Sequence, residues 1–184
     1  MLGVNELSSA RTALAALTPI VATIGDDDLH LATPCAGFDV SALCDHLVGT
    51  VAMVGAAADA GFGASGTGSA GSRVIRSAEA VIALWHRRGT DGEVVFAGRT
   101  MTAGLALGVL SIELVVHGWD LATALGLHLP IAAAHAEYVL GLARAIITPQ
   151  SRITAGFDPP IPVGDDDAAM NRLIAFTGRT PLRA

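Results

Sequence analysis

Apolar residues recur at helical spacing along most of the chain. Leu7, Leu14, Leu17, Ile20, Val21 and Ile24 mark one face of a helix over about 6–24 with Asn5 as its cap, and the pattern stops at Gly25 before three aspartates. Thr33-Pro-Cys-Ala-Gly37 reads as a turn, after which Asp39 caps a second helix through Leu43, Leu47, Val51 and Val54 to about residue 60. A third helix is expected from Ser72 to Arg87. The next, over about 102–124, is apolar on nearly every face, the pattern of a helix enclosed at the centre of a bundle. Pro130 can open a fifth helix through about Ile147, with Pro149 as its stop. A last helix from about Asp166 to Phe176 carries three aspartates at its positive end, which suits the helix dipole.

What lies between these helices adds little regular structure. Residues 61–71 have flexible-loop composition, and 156–164 read as a proline-bearing surface crossing. Residues 93–97, Glu-Val-Val-Phe-Ala, form one extended piece, and one such piece does not make a sheet. With no repeat and no change in composition along 184 residues, a single domain (1–184) is expected, of all-α class.

Composition removes several functions. The chain has no lysine, so all 11 positive side chains are arginine; Schiff-base chemistry, a lysine base and a phosphate-binding Walker lysine are excluded. A net charge of −6 without a basic stripe lacks the electrostatic footprint of a nucleic-acid binder. Mean hydropathy is +0.54, but no charge-free apolar run reaches about 18 residues and the first residues carry no positive leader pattern, so no membrane partner is expected. Two cysteines are too few for a disulfide framework or a thiolate zinc knuckle, which suits a reducing cytoplasm.

Glu113 and His117 are the informative pair. They lie at i and i+4 on one face of the most apolar helix, and Asp120 falls within about 20° of Glu113 by helical arithmetic, so the three form one polar stripe. A buried carboxylate must be protonated, paired with an arginine or a histidine, or bound to a metal. Spacing alone leaves the structural and the metal readings open. His46, about 60° from Leu43 at the edge of the second helix's apolar face, is a lone core-edge histidine unless a neighbouring helix turns it toward that stripe. Two imidazoles and one carboxylate suit a borderline divalent ion and leave a coordination position for a small molecule.

Other motifs are weaker. Gly61-x-Gly63-x-x-Gly66 matches a dinucleotide fingerprint in letters, but it follows a helix and no βαβ unit surrounds it. His30, His86, His128 and His135 fall near helix ends or in loops, where histidine is ordinarily solvated. Cys35 and Cys44 can serve as thiolate ligands or as structural residues. Arg87-Arg88 reads as a charge pair at a helix C-terminus or as an anion clamp.

Three segments carry a resemblance. Thr33-Pro-Cys-Ala-Gly-Phe-Asp-Val-Ser-Ala-Leu-Cys-Asp-His-Leu-Val-Gly49, Glu113-Leu-Val-Val-His-Gly-Trp-Asp-Leu-Ala122 and the closing Asn171-Arg-Leu-Ile-Ala-Phe-Thr-Gly-Arg-Thr-Pro181 are similar to the actinobacterial mycothiol-dependent maleylpyruvate isomerase-like proteins, a branch of the DinB-like superfamily. The resemblance spans about residues 5–181, with Phe38 standing where the family has tryptophan. It implies an up-down four-helix bundle with additional short helices and one divalent metal, commonly zinc, at the bundle core. His46, Glu113 and His117 fall on the family's ligand positions, and Asp120 on a position that orients a ligand or binds water. The isomerase itself carries a further α/β domain that 184 residues are too few to contain, so the expectation is the metal-binding module.

Three functions follow as expectations. The first is a transferase or isomerase in which zinc, nickel or manganese activates mycothiol or a similar thiol toward an electrophile. The second is a metal-dependent hydrolase with Asp120 as general base. The third is a non-catalytic interaction or regulatory protein stabilised by its metal. A homodimer is also expected from the alanine-rich helical surface.

Overall fold

The computed structural model describes residues 4–63, 67–155 and 157–181. Four long helices form its frame: α1 (Glu6–Ala22), α2 (Val40–Ala58), α3 (Ala70–Arg88) and α4 (Ala103–Ala124). Each packs on two of the others, in the ring α1, α4, α2, α3 and back to α1. The class is all-α, as the helical periodicity and the resemblance both lead one to expect.

Local chemistry sets the helix starts. Asn5 accepts from the Ser8 amide while the Ser8 hydroxyl bonds the Asn5 backbone, a reciprocal cap, and Asp39 accepts from Ala42 N at 2.8 Å to open α2. Along α4 the residues from Ala106 to Ala122 are buried without a break. By length and hydropathy α2 and α4 would each suffice to cross a bilayer, yet α4 is enclosed by protein on all sides, as a core helix is.

Several boundaries differ from expectation. The extended piece at 93–97 is β1 (Glu93–Phe96), and it pairs antiparallel with β2 (Arg99–Thr102) in a small hairpin. Its two-residue turn places both Ala97 (φ 47°) and Gly98 (φ 77°) in the left-handed region, as a tight hairpin turn of matching twist requires. The fifth helix, α5 (Ala133–Ile146), begins three residues after Pro130. Pro149 opens α6 (Pro149–Ala155) rather than ending structure, because proline has no amide to lose in a first helical turn. In α7 (Ala169–Phe176) helix begins after the aspartates, and Asp167 instead accepts from Gly164 N at 2.8 Å in a turn. Residues 64–66 of the glycine-rich loop lie outside the described residues.

The tightest approach in the frame is between α1 and α3. A Cβ on Gly71 would lie 2.1 Å from the Val21 carbonyl oxygen, whereas one on the exposed helical Gly49 would meet nothing within 4 Å. Gly71→Ala is therefore expected to destabilise the fold by about 2 kcal/mol, and Gly49→Ala to stabilise it by up to about 1 kcal/mol. Urea unfolding followed by circular dichroism checks both; equal effects would contradict the packing described.

Candidate metal centre

The site is built on α4 because the frame leaves that helix no solvent face. Glu113, His117 and Asp120 project from successive turns, and all three are buried. The 31–39 loop closes over one side: the Thr33 hydroxyl donates to Phe38 O at 2.8 Å, Phe38 N donates to Cys35 O at 3.1 Å, and Gly37 turns the chain at φ 83°. This loop brings Phe38 against the His46 ring, 5.4 Å between centroids. His46 in turn meets His117 edge to face at 4.9 Å.

Glu113 lies between the two imidazoles. Its Oε2 is 3.2 Å from His46 Nε2 and 3.3 Å from His117 Nε2. Charge-assisted hydrogen bonds contract to about 2.7–2.9 Å, so both contacts are long for simple ion pairs. Donors bound to zinc at about 2.0–2.1 Å in a tetrahedron stand about 3.3 Å apart, the spacing of Glu113 Oε2 from each imidazole nitrogen. The ligand atoms of His46, Glu113 and His117 all lie within 4.8 Å of one another. The donor set and its spacing thus fit a borderline divalent ion.

Behind His117 the polar stripe continues away from this donor set. Asp120 Oδ2 accepts from His117 Nδ1 at 3.0 Å, leaving Nε2 to face Glu113 and fixing the orientation of the ring. Asp120 is fully buried, and its carboxylate is held by Arg179, whose Nε donates to both oxygens at 3.0 Å and whose Nη2 donates to Oδ2 at 2.9 Å. Arg179 also donates to Thr177 O at 3.1 Å, so the backbone after α7 anchors the guanidinium. Of the two roles considered for Asp120, orienting a ligand and acting as a base, this geometry suits the first: the carboxylate is fully buried and bonded to both Arg179 and His117.

Electrostatics follow from the same contacts. Burial works against the Glu113 charge, but hydrogen bonds from His117 and His46 and their positive charge outweigh it and hold the carboxyl at about 2. Burial likewise works against a charged His117, yet hydrogen bonds to Asp120, Cys35 and Glu113 prevail and raise its proton affinity well above the ordinary imidazole value.

The remaining sequence candidates separate clearly. Cys35 stands beside this centre, its sulfur within 4.8 Å of ligand atoms of His117 and Asp120. Cys44 is fully buried, and desolvation, reinforced by the Asp45 charge, pushes its thiol up to about 11, the condition of an inert core residue. His135 is not solvated as its place near a helix start suggested: it is buried against α1, with Nε2 2.9 Å from the Ser9 hydroxyl. Arg88 lies over the Trp85 ring at 5.1 Å, at the C-terminus of α3 and away from the centre. Sequence reasoning missed Arg179. It stood only as one residue of the closing segment similar to the family, and the rule that a buried carboxylate needs a cation could not say which of the arginines would arrive.

On the side of His46 and Glu113 the centre borders a pocket of about 570 Å³ between α2, the hairpin, α4 and the corner from α5 to α6. Fold and site together define a helical bundle with a candidate metal centre open on one side. Comparison of the sequence with protein families places residues 10–122 in the mycothiol maleylpyruvate isomerase N-terminal domain family. The chain belongs to that family. No curated protein and no solved structure matches it significantly.

Arg179 is not one of the three donors and can be replaced without removing any of them. Replacing it with methionine leaves Asp120 buried without its cation, and Arg179→Met is expected to cost about 3 kcal/mol in chemical unfolding. A loss below about 0.5 kcal/mol would mean that the pair does not hold the stripe.

Proposed function

We propose that the protein is a metal- and thiol-dependent transferase or isomerase, with His46, Glu113 and His117 holding one divalent ion, zinc ahead of nickel or manganese. The observation that carries this reading is the three-donor set, with both histidine nitrogens 3.2–3.3 Å from Glu113 Oε2, all three ligand atoms within 4.8 Å of one another and a pocket on one side. Structural zinc sites are closed by four protein ligands, whereas catalytic ones keep a position open. Membership of a mycothiol-related family supports mycothiol, or a similar small thiol, as the co-substrate. A bound ion of this kind would favour the thiolate near neutral pH.

The chain's own residues do the rest. Asp120, gripped by Arg179, holds the His117 ring so that Nε2 points at Glu113. Phe38 and the His117 ring confine the His46 imidazole. The apolar pocket walls keep water away from a reacting electrophile. The hydrolase alternative assigns Asp120 as general base, and its full burial and bonding to Arg179 suit an orienting role better. Two unpaired cysteines and this thiol chemistry both suit a cytoplasmic protein.

The charge state of the donors gives a direct test. Glu113 is ionised throughout the neutral range, while His117 holds its proton more tightly than ordinary imidazole, so metal entry must displace that proton. Metal affinity is therefore expected to rise with pH, with about one proton released per zinc at pH 7. Calorimetry in two buffers of different ionisation enthalpy measures the release, and a pH-independent affinity between pH 6 and 8 would contradict it. With zinc bound, thiol consumption against a panel of electrophiles is expected to fall about 100-fold or more in His46→Ala; turnover unchanged by removing the metal would overturn the catalytic reading.

A further inference from the structure

The pocket beside His46 and Glu113 has a chemistry of its own. Its walls are mostly apolar, with Met53, Phe96, Met101, Ile112, Ile146 and Phe157 among them, and its volume of about 570 Å³ lies inside the range of about 300–1,000 Å³ typical of small-molecule sites. Two polar groups on that wall have no partner among the described residues. Thr50, one turn beyond His46 on α2, is only 5% exposed and lines the pocket, and its hydroxyl has no hydrogen bond among the described residues. Arg99, the first residue of β2 beside the hairpin turn, has no side-chain ion pair or hydrogen bond among the described residues, and it carries the one guanidinium of the described lining. A hydroxyl that lines a pocket without a protein partner is left to bond whatever enters the pocket.

We propose that this pocket takes an apolar organic acid bearing a single anionic group. The alkyl or aryl body lies on the methionine, isoleucine and phenylalanine walls, the anion meets Arg99, and an acceptor atom completes the Thr50 hydroxyl. The assignment rests on the reading above only in taking the His46 and Glu113 end as the reacting end. A second carboxylate would find no second guanidinium in the described lining and would face Glu113, in a chain whose net charge is already −6. A polyol would leave its hydroxyls unpaired against these walls. The pocket therefore suits the electrophile rather than the polar part of a sugar-bearing thiol.

The test is calorimetric titration of metal-free protein, in the presence of a chelator, with hexanoate, octanoate and decanoate, with octanamide as the neutral counterpart and suberate as the dicarboxylate. Removing the metal excludes carboxylate binding to an ion. Affinity is expected to rise about three- to fourfold per added methylene. Suberate should bind at least tenfold more weakly than octanoate. Arg99→Gln, a substitution at an exposed position, should weaken octanoate about tenfold and leave octanamide unchanged, and Thr50→Val should weaken both. No binding by any of the acids, an affinity independent of chain length, or equal octanoate affinity in Arg99→Gln would each overturn the proposal. The two readings fail separately: chain-length-dependent octanoate binding in a protein that takes up no zinc upholds the pocket and removes the metal, and zinc uptake without octanoate binding does the reverse.

Discussion

Two carboxylates inside the most enclosed helix of the bundle have to be satisfied, and the way they are satisfied organises everything around them. Unpaired, each would cost several kcal/mol. Asp120 is neutralised within the protein, by an arginine that arrives from beyond α7 and grips it through both oxygens. Among the described residues Glu113 pairs with no arginine, and it is shared instead between two imidazoles from different helices. One carboxylate is thus closed off as structure, and the other stands in a donor set that an ion can enter. His117 joins them, with Nδ1 committed to Asp120 and Nε2 to Glu113, so the rigidity of the buried pair is passed to the open side.

This division of labour also separates the two cysteines and the two faces of the site. Cys44 is sealed in the core, whereas Cys35 sits on a loop pinned by Thr33 and Gly37 beside His117. The Cys35 and Arg179 side is crowded with polar contacts within the protein. The His46 and Glu113 side meets mostly apolar walls that also carry Thr50 and Arg99. A small molecule reaching the centre from that side would meet a site already oriented from behind, which is what preorganisation asks of a catalytic centre.

Much of this could be read from the sequence, and the exceptions have physical reasons. The helical period and the caps at Asn5 and Asp39 located α1 and α2, and unbroken hydrophobicity located α4, because in each case one local rule dominates. The buried stripe on α4 was legible for the same reason: three ionisable residues at helical spacing in an apolar run have few structural explanations. The second hairpin strand, Arg-Thr-Met-Thr, was not, since only Met101 is half-buried and Ala-Gly is a weak turn signal. His135 looked solvated because its burial depends on α1 lying alongside, a tertiary fact. Arg179 is 59 residues from Asp120, and no local pattern joins them.

The central claim is that His46, Glu113 and His117 form one metal site contributed by two helices. The most direct measurement is metal content by plasma mass spectrometry of untagged protein after equilibration with zinc and removal of unbound metal, in the wild type, His46→Ala and Glu113→Gln. The account predicts about one ion per chain in the wild type and near zero in both variants, each of which remains helical by circular dichroism. A wild-type protein that retains no zinc, or variants that keep a full equivalent, would contradict it and leave Glu113 and His117 as a hydrogen-bonded pair in the core.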